Sequence, residues 1–586
     1  MTKAGSRSFS DTEPGAVSGK HMVQEGRGPL GPRRFIGGWN AVFLVAVFFF
    51  FVLPFLRLAL LSLWVDGRLS PGLYAELLAS ARVRSGILNT VGIVGASTLL
   101  ASALGLLQAW LIAHTDIRGK RLLEGLFVMP FVIPSYITSL AWARFTGPGG
   151  FLAQITGWNV PSAYSWWGIV AVMGICHAPL AFLFCLNALR KVPREAEWAA
   201  RCSGAGPWRT FWAATVPCAL PGIVGGAMTV VLAGLDNFGI PAFLGARRNI
   251  NVLSTLIYQE VVGFGPSAFG RAAALSVVLG GIALLSCAVL WRLLRGGGVL
   301  ESVTADRQPR CELGRLRPWV EGALWGFVAV TSLLPLLSML AASLLKAWGL
   351  PLEAANLSLQ NFAFLLGSPK ALGALGNSFR LALFTGGSAL VIGSYVAWGR
   401  VRRPGLTFRF AEAAFSLPFV LPGTVFALAM ILAWMEPLPG WRPGIYGTGT
   451  LLAIAYVVRF SVLQLRASAS ALQQVDRSVE EAAWVCGAGR WACWRRVIVP
   501  LISSGLLAGF FMTTAHALTE LTVSSVLGAL GAETVGMVVL NFEQAGDVTL
   551  SCAFSVLVLG LLAILLLAGL ALRRWVNRYE RQGDAL

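Results

Sequence analysis

The chain has 586 residues; 56% are hydrophobic, 12% are charged, and the formal net charge at pH 7 is +19. An ordinary soluble domain carries about 25% charged residues, so this composition excludes that class and predicts an all-α integral membrane protein. The positive charge alone would also suit a nucleic-acid-binding protein, and its distribution along the chain decides between the two.

Residues 1–34 are polar and rich in Gly, Ser and Arg. A segment of this composition cannot bury enough apolar surface to fold, so it predicts a disordered cytoplasmic tail. No small-residue cleavage site accompanies the first apolar run, so we expect an uncleaved membrane anchor rather than a removable signal peptide.

Twelve apolar runs follow the tail, and each is near or above the roughly 20 residues that a helix needs to cross about 30 Å of hydrocarbon. They lie at approximately residues 40–64, 87–113, 122–144, 166–189, 218–244, 272–294, 319–345, 377–399, 410–435, 447–470, 501–527 and 551–574. The tail and alternate loops hold 33 of the 46 Lys and Arg residues. This positive-inside bias predicts that both termini are cytoplasmic and leaves no role for a nucleic acid.

An internal repeat organises these runs. Residues 89–134 align with residues 377–422 at a constant shift of 288, and the shift becomes 283 at the polar loops further on. We therefore predict about twelve transmembrane helices in two parallel six-helix repeats. The first membrane module is expected at 35–295 and the second at 318–586, with a flexible cytoplasmic linker at 296–317.

Paired prolines lie in the third run of each half, Pro130 and Pro134 in the first and Pro418 and Pro422 in the second. A proline removes a backbone donor and bends a helix, which is tolerated where neighbours or a polar cavity satisfy the freed carbonyl. The duplicated pair favours a place along a translocation path. The alternative, that each proline only kinks a packed helix, stays open.

Ionisable residues inside apolar runs are costly and are therefore functional candidates. The fifth run of the first half contains Asp236 followed by Asn237, and the matching run of the second half contains His516 and Glu520. The spacing i, i+4 places His516 and Glu520 on one predicted helical face. Either these four residues flank a translocation path, or His516 and Glu520 pair to seal a packed interface.

A polar interruption at residues 475–500 is the most distinctive stretch of the sequence. Ser478 and Glu481 have the spacing of a capping box, which starts a helix. Gly487 suits the left-handed position that ends one, so a second helix is expected after it. The loop at 193–217 repeats this pattern 283 residues earlier and departs from it at two positions. Trp198 stands at the position of Glu481, and Ala214 replaces the usual aliphatic residue.

The spacing of these loops (E-A-A, three residues, G, nine residues, an aliphatic stretch, P) resembles the cytoplasmic EAA loop of binding-protein-dependent ABC importer permeases. The resemblance implies the type I ABC importer permease fold, a bacterial inner-membrane location, an ABC ATPase dimer as a partner and a periplasmic solute-binding protein as another. The residues that it implies in coupling to the ATPase are Glu197, Ala199, Ala200, Gly204, Glu480, Glu481, Ala482, Ala483 and Gly487. Trp198 departs from the motif, which leaves open how the first loop couples.

The D-N-F-G-I-P stretch from Asp236, the E-L-T-V-S stretch from Glu520 and the G-A-E-T stretch from Gly531 resemble fused permeases of ferric-iron importers. This resemblance implies ferric iron as the solute. Fused permeases for thiamine and phosphonates share much of the pattern, so those solutes stay open. A secondary transporter with two six-span halves is the alternative of a different class; His516 and Glu520 are its main support, and it leaves the duplicated loops unexplained.

The sequence contains no enzyme motif. It lacks G-x-x-x-x-G-K-[ST], so ATP and Mg are expected on the partner ATPase and no cofactor on this chain. The four histidines are too far apart in the predicted topology to form a metal site. We therefore expect a non-enzymatic transport subunit in contact with membrane lipid.

Overall fold

The computed structural model describes residues 33–65, 68–157, 161–263, 268–294, 306, 308–435, 444–528 and 531–583. The chain divides into two units, residues 1–45 and residues 46–586. The first unit contributes most of helix α1, and the second contains all the elements after it. Most of the predicted tail, and residues 296–305 and 307 of the predicted linker, lie outside the described residues.

The secondary structure is almost entirely helical. Up to residue 294 the helices are α1 (Arg33–Val47), α2 (Leu53–Ser62), α3 (Gly72–Ala79), α4 (Ala81–His114), α5 (Lys120–Val132), α6 (Ser135–Thr146), α7 (Phe151–Thr156), α8 (Trp166–Arg190), α9 (Arg194–Cys202), α10 (Pro207–Thr210), α11 (Val216–Asp236), α12 (Gly239–Gly245), α13 (Leu253–Val262) and α14 (Ala268–Leu294). A two-residue antiparallel hairpin, β1 (Trp64–Val65) and β2 (Arg68–Leu69), pairs Trp64 with Leu69.

The second half repeats this order. Its helices are α15 (Arg317–Val328), α16 (Leu334–Leu344), α17 (Gln360–Gly367), α18 (Pro369–Arg402), α19 (Leu406–Val420), α20 (Gly423–Trp434), α21 (Gly449–Gln473), α22 (Arg477–Val485), α23 (Arg490–Cys493), α24 (Val499–Leu518), α25 (Thr522–Leu527), α26 (Val535–Ala545) and α27 (Val548–Gly583). Short π-helical segments lie at Phe48–Val52, Phe211–Thr215, Ala329–Leu333 and Trp494–Ile498. The predicted all-α class is confirmed.

Among the described residues, ten helical stretches are long and apolar enough to cross a membrane, or up to twelve if each of two bent pairs counts as one span. The bent pairs are Lys120–Val132 with Ser135–Thr156, at 98°, and Leu406–Val420 with Gly423–Trp434, at 113°. The prediction of about twelve spans is therefore confirmed. The bend predicted at the prolines within 122–144 and within 410–435 is confirmed, and in each case it divides the run into two helices.

Proline chemistry explains both breaks. Pro134 and Pro422 each follow a residue in extended conformation, Ile133 with ψ 128° and Leu421 with ψ 144°. A proline ring disfavours the helical conformation of the residue before it, so the first helix ends there and a second begins directly after the proline. The repeat places this break at the same position in both halves.

Three long helices form the centre of each half. Helix α4 packs against α8 and α11, and α18 packs against α21 and α24. A β-carbon added at Gly105 of α4 would stand 2.6 Å from the backbone nitrogen of Phe182, and one at the equivalent Gly393 would stand 3.0 Å from that of Leu465. The small residues allow the helix backbones to approach closely, as is typical of membrane helices.

The two halves share one core. Helix α20 packs against α2, α13 and α14 of the first half, and α6 packs against α16 of the second. One buried cluster joins Tyr136 and Phe151 to Met339 and Phe554. The broken helices therefore lie where the halves meet.

We expect Gly105→Ala to lower the midpoint temperature of thermal unfolding in detergent, because the new methyl group would press on the backbone of α8. Overpacking of this kind costs about 1–3 kcal/mol. Gly95→Ala in the same helix is the control, because a β-carbon there meets nothing within 4 Å. Equal midpoints for the two variants would contradict the close packing of α4 on α8.

The flexibility predicted for the linker is wrong for its C-terminal part. Asp306 donates its backbone N–H to the carbonyl of Arg190 at 2.7 Å, and Cys311 donates to the carbonyl of His114 at 2.8 Å. The backbone N–H of Leu313 donates to Asp116 Oδ1 at 3.0 Å. We call Asp306 and residues 308–317 the strap, because they are bound along the first half.

Candidate translocation path and coupling elements

Each half contains one polar element of two short helices, which we call the first coupling element (residues 194–210) and the second coupling element (residues 477–493). Gly204 ends the first helix of one element with φ +82°, and Gly487 ends that of the other with φ +82°. The N–H of Ala488 donates to the carbonyl of Ala483 at 3.0 Å, the long bond of a Schellman motif. The left-handed turn predicted at Gly487 is confirmed.

The capping box predicted at Ser478 and Glu481 is wrong. Helix α22 begins at Arg477, and its N-cap is Asp476, whose Oδ1 accepts from the N–H of Ser478 at 2.9 Å. Asp476 has extended backbone angles, and its short side chain reaches the backbone of the first turn, so Asp476 is the N-cap. Ser478 lies within the helix and cannot cap it. That hydrogen bond is the first cause of the lowered pKa of Asp476.

A contact made by a carboxylate ties each coupling element to the end of a long helix. Glu480 Oε1 lies 2.5 Å from Nε of Arg402, the last residue of α18. At the equivalent positions of the first half, Glu197 Oε1 lies 3.4 Å from Nε2 of His114, the last residue of α4. These two carboxylates face inwards and anchor the elements. The sequence pattern groups Glu197 and Glu480 with Glu481 and does not distinguish an anchoring carboxylate from an outward-facing one.

The outward faces of the two elements differ at the position of the motif glutamate. Glu481 and Ala482 are exposed on the second, and Trp198 and Ala199 are exposed on the first. The indole of Trp198 is 54% exposed. Ala200 and Ala483 are partly buried at the equivalent inner position.

The strap binds the first coupling element directly. Arg310 Nη1 lies 3.2 Å from Glu197 Oε1, and Arg310 Nη2 lies 3.2 Å from Asp306 Oδ2. Asp306 in turn accepts from Arg194 Nε at 2.5 Å. Burial raises the pKa of Glu197, but hydrogen bonds from His114 and Thr215 and the charge of Arg310 outweigh it and lower the pKa to about 2. Only the charge of the linker could have signalled this contact in the sequence.

We expect the parent chain to lose thermal stability as the pH falls from about 4.5 towards 2, in part because Glu197 is protonated there. The pKa of this carboxyl is lower in the folded chain, so its stabilisation is present above pH 4.5 and is lost on acidification. Glu197→Gln should remove part of this pH dependence, whereas Glu195→Gln, at an exposed position, should not. Identical pH profiles for the parent and Glu197→Gln would contradict the network.

All four predicted prolines, Pro130, Pro134, Pro418 and Pro422, are buried and belong to the helix breaks. Pro422 has no N–H, so the carbonyl of Pro418 loses its helical donor. Arg459 Nη1 donates to that carbonyl at 3.0 Å. The expectation that a neighbour satisfies the freed carbonyl is confirmed for this break.

Arg459 also forms an ion pair across the two halves. Its Nη2 lies 2.7 Å from Oδ1 and 2.8 Å from Oδ2 of Asp236, at the end of α11. The same Oδ1 accepts from the N–H of Gly423, which begins α20, at 2.5 Å. The arginine side chain is 4% exposed and that of Asp236 is 39% exposed. Asp236 therefore joins the broken helix of the other half while part of its carboxylate faces open space.

Sequence reasoning missed Arg459. The residue lies in the tenth predicted run, and the repeat places Cys176 at the equivalent position of the first half. A comparison of the two halves position by position would have marked it, because a charged residue inside an apolar run has no copy in the other half.

Asn237, the residue after Asp236, is also predicted to flank the path, and it contacts different groups from those that Asp236 contacts. Asn237 is buried; its Oδ1 accepts from the N–H of Ile240 at 3.0 Å, and its amide nitrogen lies 3.4 Å from His177 Nε2. Asn237 thus fixes the turn between α11 and α12 beside the ion pair.

His516 and Glu520 do not share a helical face, so that prediction is wrong. Helix α24 ends at Leu518, before Glu520. His516 Nδ1 lies 2.9 Å from the carbonyl of Met512, and Glu520 Oε1 accepts from the N–H of Val523 at 2.6 Å. Glu520 stabilises the first turn of α25, where four backbone donors lack helical partners.

These groups meet at one place, which we call the junction: Asp236, Arg459, the break before Gly423, and the α24–α25 turn at Glu520. A β-carbon added at Gly423 would stand 3.0 Å from Arg459 Nη2 and 3.0 Å from Thr522 Cγ2, which puts the α25 turn beside the arginine. The junction combines two carboxylates and one guanidinium where the halves meet.

The sequence profile of the family described as "Binding-protein-dependent transport system inner membrane component" matches residues 101–295 and 389–582. The chain therefore belongs to this family. It is a multi-pass inner-membrane permease subunit of an ABC importer, and it carries two family modules in one polypeptide, as the resemblance implied.

Relatives of similar architecture align with most of the chain. It is 25% identical over 545 residues to "Probable ABC transporter permease protein y4fN" of Sinorhizobium fredii, covering 89% of this chain and 95% of that protein. It is 25% identical over 552 residues to "Ferric transport system permease protein FbpB" of Actinobacillus pleuropneumoniae, covering 91% and 78%. A shorter relative, "Molybdenum transport system permease protein ModB" of Escherichia coli, is 30% identical over 217 residues, covering 36% and 93%.

Proposed function

We propose that the chain translocates ferric iron, delivered by a periplasmic binding protein, and that a separate ABC ATPase dimer drives it through the two coupling elements. The observation that carries the coupling is the pair of elements itself. Both have the same left-handed glycine turn, and both are tied by an inward carboxylate to the end of a long helix. Family membership removes the secondary-transporter alternative.

A chain of ion pairs connects the second coupling element to the junction and could transmit a displacement between them. Glu480 binds Arg402 at the end of α18, and two residues earlier Arg400 binds Glu412 of α19 at 2.6 Å. Arg466 of α21 also binds Glu412, at 3.1 Å. Helix α19 ends at the break beside Arg459. A displacement of α22 is therefore passed through charged contacts to the helices that hold the inter-half ion pair.

The first half has a matching contact. Arg190 Nη2 lies 2.5 Å from Glu124 Oε1, and Glu124 is the repeat equivalent of Glu412. In the proposed cycle ATP binding brings the two elements together, the halves rock, and the junction opens towards one side at a time. The coupling elements, the tail and both termini face the cytoplasm in this account, supported by the 33 of 46 basic residues on that side.

The charge of the junction favours a cationic solute. Asp236 and Glu520 together carry two negative charges when ionised, and Arg459 offsets one of them. With both carboxylates ionised, the junction would carry one net negative charge, which would attract a cation and repel an oxyanion. The relative named for ferric transport aligns over 91% of this chain, and the one named for molybdenum transport over 36%. Thiamine, also a cation, stays the alternative solute, and a phosphonate is disfavoured.

Affinity purification of the full chain in mild detergent tests the assembly. We expect an ABC ATPase subunit to co-purify with the parent, and a solute-binding protein to associate when ferric iron is present. Gly487→Pro is the matched variant, because it alters one coupling element and no span. Purification of the parent without any ATPase, under conditions that retain its fold, would refute the proposal.

A further inference from the structure

A groove of about 1010 Å³ lies on the second half, between α18, α24 and the second coupling element. Along the two membrane helices its walls are aliphatic, including Leu390, Val391, Leu506 and Leu507. Both helices belong to stretches apolar enough to span a membrane. This part of the groove therefore suits a hydrocarbon chain.

The end of the groove at the coupling element is aromatic and basic. Its lining there includes Trp398, Trp484, Trp491, Trp494, Arg402, Arg403 and Arg490. Tryptophan is enriched where a membrane protein meets the headgroup layer, and basic pockets beside membrane helices bind anionic headgroups. The lining changes from aliphatic to aromatic to basic, in the same order as the acyl-chain, interfacial and headgroup layers of one bilayer leaflet.

The charges of this end do not cancel. Glu480 is the carboxylate of the lining, and it is already paired with Arg402. The guanidinium of Arg403 stands 4.7 Å over the ring of Trp398, and both Arg403 and Arg490 are exposed. Within the part of the chain that the structure describes, no carboxylate forms an ion pair with either. Two positive charges are thus presented at the mouth of an apolar groove.

We infer that this groove binds one anionic phospholipid of the surrounding bilayer, with the phosphate at Arg403 and Arg490 and an acyl chain between α18 and α24. A bound lipid would fix α22 against the membrane helices from the side of Glu480 and Trp484. The adjacent Glu481 and Val485 are exposed at positions about 100° further round α22. The lipid therefore leaves the face proposed for the ATPase uncovered.

The first half supplies an internal control. Trp110 and Trp208 repeat Trp398 and Trp491, but Thr115 and Pro207 stand at the positions of Arg403 and Arg490. Phe211 repeats Trp494, whereas Arg201 stands at the position of Trp484. The aromatic character is thus duplicated at three of the four positions, and neither Arg403 nor Arg490 has a basic counterpart. We therefore expect one anionic lipid per chain, in the second half, independently of which solute is transported.

Native mass spectrometry of the delipidated full chain in neutral detergent tests this site, with dioleoylphosphatidylglycerol as the probe and dioleoylphosphatidylcholine as the uncharged comparison. We expect one tight phosphatidylglycerol adduct. Each arginine near a headgroup contributes about fivefold in affinity, so the double variant Arg403→Gln, Arg490→Gln should bind about 25-fold more weakly. Arg403→Lys, Arg490→Lys should retain the adduct, and so should Trp208→Ala.

Three outcomes would overturn the inference: the same phosphatidylglycerol affinity in the glutamine double variant and the parent, equal affinity for both lipids, or equal loss in Trp208→Ala. A glutamine variant that keeps its lipid but loses the co-purifying ATPase would assign the groove to the partner protein instead. Thermal unfolding of every variant in the same detergent, without added lipid, separates a lost site from a lost fold. Loss of the lipid with an intact ATPase complex would leave the proposed function standing.

Discussion

Asp236→Asn is expected to reduce uptake at least tenfold and to lower the thermal stability of the full chain. The substitution leaves the buried guanidinium of Arg459 without its bidentate partner. Removing one member of a fully buried ion pair costs about 3–5 kcal/mol, and the partial exposure of Asp236 places the expected cost below that range. It also weakens the acceptor for the N–H of Gly423 at the start of α20. Uptake of labelled ferric iron and unfolding midpoints in detergent measure the two effects.

A double variant shows whether the loss of stability comes from the broken ion pair or from independent effects of the two substitutions. Asp236→Asn with Arg459→Gln removes both charges, so its loss of stability should be smaller than the sum of the single losses. Glu353→Gln, at an exposed carboxylate outside the junction, is the matched control. Additive losses in the double variant would show that the two residues do not depend on each other.

The ratio of ATP hydrolysis to uptake distinguishes a gate from a structural pair. If the inter-half pair closes the path, the variant complex should still hydrolyse ATP but move little iron for each ATP. If the pair only stabilises the fold, hydrolysis and uptake should fall together. The second pattern, with the complex still assembled, would contradict the assignment of Asp236 and Arg459 to the path.

Gly487→Pro is expected to abolish uptake while the chain still inserts in the membrane. Gly487 has φ +82°, whereas proline is fixed near −65°, so the turn between α22 and α23 cannot form. Gly489→Ala is the control, because Gly489 has φ −66° and an added β-carbon there meets nothing within 4 Å. Uptake and the amount of co-purified ATPase are the measurements.

Substitutions at the exposed residues Glu481 and Trp198 also test whether the coupling elements contact the ATPase. Glu481→Lys reverses an exposed charge without touching the anchoring pair of Glu480, so uptake should be lost with little change in stability. Trp198→Glu should be tolerated, because it gives the first element the residue that the second already has. Full transport in Glu481→Lys with normal ATPase association would contradict the role of the second element.

The parts of the fold that were predictable depend on local pattern or on the repeat. The apolar runs gave the number of spans, the shift of 288 gave the two halves, and the position of Gly487 gave the turn that ends α22. Pro134 and Pro422 predicted a bend, but its size was not predictable. Bends of 98° and 113° require a neighbouring group to satisfy the freed backbone, and that group comes from distant sequence.

The parts that were missed depend on contacts between distant residues. Asp236 and Arg459 are 223 residues apart and belong to different halves, so no local pattern joins them. The strap reads as a flexible polar segment because its partners, His114 at the end of α4 and Glu197 in α9, lie far from it in the sequence. His516 and Glu520 had the spacing of a helical pair, but α24 ends between them and the carboxylate stabilises the next helix.

The most direct test of the account is uptake by the complete assembly in proteoliposomes. The full chain, its co-purified ATPase and the partner binding protein loaded with radiolabelled ferric iron are combined, with ATP enclosed on the side of the coupling elements. We predict accumulation that requires all three proteins, stops with Gly487→Pro, and stops when ATP is replaced by a non-hydrolysable analogue. Accumulation without the ATPase, or ATP-driven uptake of another solute with none of iron, would contradict it.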